Sequence, residues 1–128
     1  VGLRVDRWRV PSGLLKAQGL HCDNYDPYFF PDLPGNQFDY IFATEVVEHF
    51  HNPGRELQRI SALLRQDGIL TVMTEPWVSV ENFAEWHYAK DITHVCFYHA
   101  STIEFVCAQY GLEILNRDTP RVTVCRKY

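Results

Sequence analysis

The sequence has no surplus of positive charge: 12 Lys and Arg stand against 16 Asp and Glu, for a formal net charge of −4. Nonspecific nucleic-acid binding draws its energy from basic side chains that neutralise phosphates, so no nucleic-acid partner is expected. Arg4, Arg7 and Arg9 make a small basic run, of the kind that usually serves as a solvated face. The four cysteines, at positions 22, 96, 107 and 125, include no C-x-x-C pair. That spacing offers neither a zinc knuckle nor a small disulfide scaffold, and scattered thiols fit a reducing compartment. No apolar run approaches the roughly 18 residues needed to cross a bilayer, so no membrane partner is expected. The opening stretch "VGLRVDRWRV" lacks the apolar core of a signal peptide. A cytoplasmic protein is expected. Internal repeats, low-complexity tracts and linkers are lacking too, and a length of 128 residues suits one domain over residues 1–128 with one core.

What is there is ordinary globular material, 46% hydrophobic and 22% charged. "FDYIFAT", residues 38–44, is short and apolar on both alternating faces, as a buried parallel strand should be. Asn52 is a good N-cap and Pro53 suits the first helical position. Leu57, Ile60, Leu63 and Leu64 recur at helical spacing, and Asp67-Gly68 is read as the stop. "ILTVMT", residues 69–74, is a second two-sided strand, which completes a βαβ unit. Fainter signals place a helix end at residues 13–19 and a strand at 20–26. Ser101-x-x-Glu104 reads as a capping box opening a helix to about residue 110, stopped by Gly111. Residues 112–115 and 121–126 read as strands of a terminal antiparallel hairpin. Together these elements predict a three-layer α/β domain.

"TEVVEHFHNPG", residues 44–54, holds Glu45, Glu48, His49 and His51 within seven positions. Glu48-x-x-His51 has the i, i+3 spacing of di-iron helices, and "EVVEH" approaches the H-x-x-E-H zinc motif, with Glu45 in place of the first histidine. Both motifs need a helix, and Asn52-Pro53 starts the helix after the cluster. The cluster is therefore assigned to a strand-to-helix turn and no metal ligand is assigned. In parallel α/β sheets, ligands bind beyond the carboxyl ends of strands. The cluster ends one strand, and Asp26 ends an earlier one. A carboxylate there can accept hydrogen bonds from ribose hydroxyls, or can serve as a turn residue before Pro27.

The order and spacing of four segments resemble class I, Rossmann-like S-adenosylmethionine-dependent methyltransferases. These are "YDPYF" (25–29), "FDYIFATEVVEHFHNP" (38–53), "LLRQDGILTVMTEP" (63–76) and "WHYAKDITHVCFYHASTIEFVCAQYGLEIL" (86–115). The resemblance covers roughly residues 14–117 and implies S-adenosylmethionine as cofactor and a small-molecule substrate. It implies cofactor contacts from Asp26, Tyr28, Glu45, Glu48 and His49. Tyr28 would lie on the adenine and Glu45 would face the methionine part or the substrate. His49 would chiefly fix the turn. His94, with Asp91 and His87, would handle the acceptor's proton, an Asp–His pair being able to orient and tune an imidazole. Trp77, Phe83, Trp86, Phe97 and Tyr98 would form a lid or substrate wall, or pack in the core.

The family's pattern fails at its glycine-rich loop, where backbone N–H groups approach the cofactor. The corresponding "RVDRWRVPSG", residues 4–13, has one glycine, at its end. "LRVDRWRV" also places charges on both faces, which is poor for a central strand. The fold expected is therefore a mostly parallel Rossmann-like sheet with a C-terminal antiparallel hairpin and its N-terminal strand and loop missing or degenerate. Bare strand edges would follow, and a second copy of the chain, in a homo-oligomer such as a dimer, or a rearranged N-terminus is expected to cover them. Two further readings stand beside the enzyme. One is a non-catalytic methyltransferase-like domain serving assembly or binding another ligand. The other is a metal-dependent hydrolase using Glu45, Glu48, His49 and His94.

Overall fold

The computed structural model of the protein describes residues 2–5, 10–26, 32 and 35–128. The elements are β1 (Gly2–Val5), α1 (Val10–Ala17), β2 (Cys22–Tyr25), β3 (Phe38–Thr44), a single 3-10 turn (Val47–His49), α2 (Pro53–Leu63) and β4 (Leu64–Met73). They continue with α3 (Val80–Phe83), α4 (His87–Lys90), α5 (Ala100–Gln109), β5 (Leu112–Thr119) and β6 (Val122–Lys127). The strands form one mixed sheet in the order β2-β1-β3-β4-β6-β5. β2, β1, β3 and β4 are parallel, and β6 runs antiparallel to both β4 and β5. The α/β fold and the antiparallel hairpin are those expected; within the hairpin, β6 lies beside β4 and β5 is at the edge.

The strand expected to be missing or degenerate is present and paired on both sides. β1 pairs with β2 from Gly2↔Cys22 to Val5↔Tyr25 and with β3 from Gly2↔Tyr40 to Val5↔Ala43. It ends at Val5, so of the charged residues that argued against it only Arg4 belongs to the strand. The two neighbours are therefore not left bare, and the reason for expecting a second chain at that edge falls away. Arg7, Trp8 and Arg9, at the place of the glycine loop, lie outside the described residues.

The core runs along β3 and under α2 and α5. Ile41 and Ala43 are wholly buried, and Ile60 of α2, Leu64, Leu70, Cys107 of α5, Leu112 and Cys125 belong to the same cluster. Burying an aliphatic side chain of this size stabilises by about 1.5–3 kcal/mol, so this cluster fixes how α2 and α5 meet the sheet. Asn52 caps α2 as expected, its side chain accepting from the Arg55 N–H at 3.2 Å. Two other helix ends differ from expectation. α5 is capped by His99 with Thr102 rather than by Ser101 with Glu104. α2 ends at Leu63, and the chain enters β4 through an irregular stretch in which Phe38↔Leu64 is followed by Tyr40↔Ile69. Asp67, not Gly68, takes the left-handed conformation there, at φ 61. Lys127 of β6 covers the end of α2, donating to the Ser61 and Leu64 carbonyls at 2.6 and 3.0 Å, where a cation also suits the helix dipole.

Gly68 is required by space. A Cβ there would stand 2.8 Å from the Arg65 carbonyl oxygen and 3.0 Å from Leu64. Gly68→Ala is expected to lower stability by about 1–3 kcal/mol, read as a lower urea midpoint at unchanged slope. Gly13 lies within α1 with nothing within 4 Å of its added Cβ. Gly13→Ala should therefore raise stability by about 0.5–1 kcal/mol. A reversed ranking of the two variants would contradict this packing.

Candidate functional site

β3 delivers the chain to the cluster at its carboxyl end. Glu45, the first residue beyond the strand, is held at φ 50, an uncommon region for a residue with a Cβ. Its N–H is fixed by the Met73 carbonyl at 2.8 Å. The 3-10 turn follows and points Glu48 inward until its side chain is 0% exposed. A buried carboxylate must be satisfied, and this one is. Thr74, just past β4, donates to Oε2 at 3.1 Å, and the Tyr88 hydroxyl of α4 lies 2.6 Å from Oε1. The same hydroxyl lies 2.7 Å from Glu45 Oε2. Arg121, in the β5–β6 turn, donates to Glu45 Oε1 at 2.9 Å.

Tyr88 has one hydroxyl proton for two carboxyl groups, and the two glutamates divide accordingly. Burial raises the Glu48 carboxyl above its ordinary range, against the pull of the Tyr88 hydrogen bond. Partial burial works the same way on Glu45. Hydrogen bonds with Tyr88, Glu48 and Arg121 outweigh it there and hold Glu45 below the ordinary range. Burial and the neighbouring glutamates push the Tyr88 hydroxyl strongly upward, so it stays a donor.

The backbone repeats the linkage. The Glu48 carbonyl accepts from the Val95 and Cys96 N–H groups at 2.9 and 3.0 Å. His49 Nδ1 lies 2.9 Å from the Thr93 carbonyl, and His94 Nδ1 lies 2.7 Å from the Tyr88 carbonyl. A carbonyl only accepts, so each ring donates through Nδ1 and points its other nitrogen, Nε2, away from that bond. The two rings meet edge to face with centroids 4.8 Å apart. Glu48, His49 and His94 each bring one ligand-type atom to within 4.8 Å of the others.

The expected site residues are partly gathered. Glu45, Glu48, His49 and His94 meet at the end of β3. Asp91 is close, its Oδ2 lying 3.6 Å from His94 Nε2, but its other oxygen accepts from the Thr93 N–H and hydroxyl at 2.9 and 2.6 Å. The Tyr88 carbonyl, not Asp91, orients His94. His87 stands apart, with a 78% exposed side chain 3.3 Å from Glu75. Asp26 is buried at the end of β2, and Tyr28 lies outside the described residues. Sequence reasoning missed Tyr88, Thr74 and Arg121. No local pattern marks them, because their partners lie 14 to 76 residues away.

Beside this network is a cleft of about 450 Å³ lined in part by Glu75, Trp77, Phe83 and Trp86. Trp86 stacks on Tyr88 at 5.0 Å and donates through Nε1 to Glu75 at 3.1 Å. Phe97 backs the wall, 5.2 Å from Phe83 and 5.9 Å from Trp86. Tyr98 is core rather than wall, being buried with its hydroxyl on the Val47 carbonyl at 3.2 Å. Among the described residues no helix is long and apolar enough to cross a membrane.

A family model described as a methyltransferase domain matches residues 9–116. No curated protein matches the chain. The fold is similar to that of the YcgJ protein from Bacillus subtilis, at 20% identity and TM-score 0.60, over 88% of this chain and 53% of that one. It is also similar to Burkholderia thailandensis 1,6-didemethyltoxoflavin-N1-methyltransferase, solved with 1,6-didemethyltoxoflavin and S-adenosylhomocysteine bound. That match has 15% identity and TM-score 0.68, over 98% of this chain and 70% of that one. A SAM-dependent methyltransferase from Archaeoglobus fulgidus matches at 13% identity and TM-score 0.66, over 98% of this chain and 85% of that one. The chain thus spans about half the length of the YcgJ protein.

Tyr88→Phe removes the hydroxyl that serves both glutamates and leaves a buried acceptor unmet. The variant is expected to lose about 1–3 kcal/mol of stability in urea unfolding. A loss of a few tenths would mean that Glu48 is satisfied without it.

Proposed function

Because this chain belongs to the methyltransferase-domain family, we propose that it transfers a methyl group from S-adenosylmethionine to a small molecule. The observation that carries the reading is the position of two carboxylates at the point where strand order reverses. β1 lies between β2 and β3, and such switch points are where open α/β sheets bind ligands. Asp26 follows β2 on one side and Glu45 follows β3 on the other. Their acceptor chemistry fits a cofactor that presents ribose hydroxyls and a charged amino-acid end. Bound there, S-adenosylmethionine would supply a sulfonium-activated methyl group.

The chain's own residues then have little chemistry to add beyond alignment. Asp26 holds ribose hydroxyls, and Tyr28 is assigned the adenine face. Glu45, fixed by Tyr88 and Arg121, borders the methionine end. Glu48 and His49 hold the turn from behind. The aromatic cleft at Trp77, Phe83 and Trp86 suits a flat or apolar acceptor. Proton removal from the acceptor falls to the surroundings of His94, with Asp91 beside it and His87 at the cleft's Glu75 rim.

A second reading, a binding module without turnover, is favoured by the four residues between β1 and α1, Asp6 to Arg9, none of which is glycine. Calorimetric titration with S-adenosylhomocysteine separates the two. Micromolar binding that weakens by at least about tenfold in Asp26→Ala, roughly the worth of one charge-assisted hydrogen bond, is the result expected of the enzyme. No heat up to millimolar ligand would favour the module.

A further inference from the structure

We propose that Glu48, His49 and His94 bind one divalent transition-metal cation of the zinc or cobalt class. Their ligand-type atoms already lie within 4.8 Å of one another, and Glu48 Oε1 is 3.9 Å from His49 Nε2. Both imidazoles carry the orientation that metal sites use. Each donates Nδ1–H to a backbone carbonyl, Thr93 for His49 and Tyr88 for His94, which fixes the ring and leaves Nε2 for the ion. The carboxylate is held in the same way, through Thr74 and Tyr88. Ligand atoms around one tetrahedral ion stand about 3.2–3.5 Å apart, given bonds of about 2.0–2.1 Å, so side-chain rotations of roughly 1 Å complete the site.

Charge favours a cation as well. Glu45 and Glu48 converge on one hydroxyl, and Asp91 stands 3.6 Å from His94 Nε2. Among the described residues Arg121 faces them, and it is spent on Oε1 of Glu45. Two imidazoles with one carboxylate select zinc, cobalt or iron(II) over magnesium or calcium, which take oxygen ligands. Three protein ligands leave a fourth position open, as catalytic sites do. His94 lies on another segment, so the helix that the glutamate–histidine spacing demanded is not needed.

Binding of the ion is independent of methyl transfer. Its use rests on the function proposed above: at the open position it would acidify an acceptor hydroxyl, in place of a bare His94 acting as base. The test is calorimetric titration of the metal-free protein with Zn²⁺, together with Co²⁺ titration followed by visible absorption. One ion per chain is expected, with cobalt bands of nitrogen and oxygen ligation. His49→Ala and His94→Ala should each weaken binding by more than about a hundredfold. His21→Ala, an exposed ring paired with Asp23 at 3.1 Å, should leave it unchanged. Should the alanine variants unfold by near-ultraviolet circular dichroism, histidine ¹⁵N spectra of the unaltered protein decide. One equivalent of Zn²⁺ must shift the Nε2 resonances of His49 and His94 together. Failure of the folded protein to bind Zn²⁺ in large excess would overturn the proposal, as would binding that survives the loss of His94. S-adenosylhomocysteine titration of the same sample reports separately on the methyltransferase reading, so either can fail alone.

Discussion

The structure around the crevice depends on one obligation, the satisfaction of the Glu48 carboxylate inside the protein. A buried acid without partners costs several kcal/mol. Here the cost is met by Thr74 at the end of β4 and by Tyr88 from α4. Two segments, 26 and 40 residues further along the chain, are thereby drawn to the end of β3. The Glu48 carbonyl adds the Val95 and Cys96 amides, so a single residue ties down both ends of the segment that carries His94. His49 and His94 are oriented by backbone carbonyls, and those carbonyls are positioned because Glu48 has fixed the backbone around them.

This anchoring explains how a strand-to-helix turn can be rigid enough to bear chemistry. Glu45 is held at a positive φ, a conformation that persists only where its surroundings over-determine it. Tyr88, Arg121 and the Met73 carbonyl do so here. The parallel part of the sheet supplies the other half of the crevice. β1 lies between β2 and β3, so the ends of β2 and β3 stand either side of it with Asp26 and Glu45 at their margins. The aromatic cleft joins this crevice through Trp86, stacked on the same Tyr88 that serves the glutamates. Strand-end carboxylates, polar cluster and aromatic cleft are thus linked through Tyr88 and its partners.

Much of the scaffold was legible in the sequence. β3 occupies the very residues its two-sided apolar run indicated, and Asn52-Pro53 opens α2 as its chemistry required. The hairpin was visible in the alternation around residues 118–120. Local signals misled where tertiary contacts took over. Gly68 read as a helix stop, yet α2 ends at Leu63, where the chain turns to pair Leu64 with Phe38. β1 read as too charged because the charged residues after Val5 were counted as strand. The site was half legible. Glu45, Glu48, His49 and His94 could be named from spacing and resemblance. Tyr88, Thr74 and Arg121 could not, because a side chain that completes a buried carboxylate from 26 or 40 residues away leaves no periodic trace.

The central claim is that the switch-point crevice between Asp26 and Glu45, held from behind by Glu48, is where this protein takes its ligand. Hydrogen–deuterium exchange of the unaltered chain, with and without S-adenosylhomocysteine, tests it most directly. The account predicts slowed exchange at the Asp26 amide and across residues 45–49, with the β5–β6 hairpin unchanged. Exchange that stays the same at both carboxylates, or slows only in the hairpin, would contradict it.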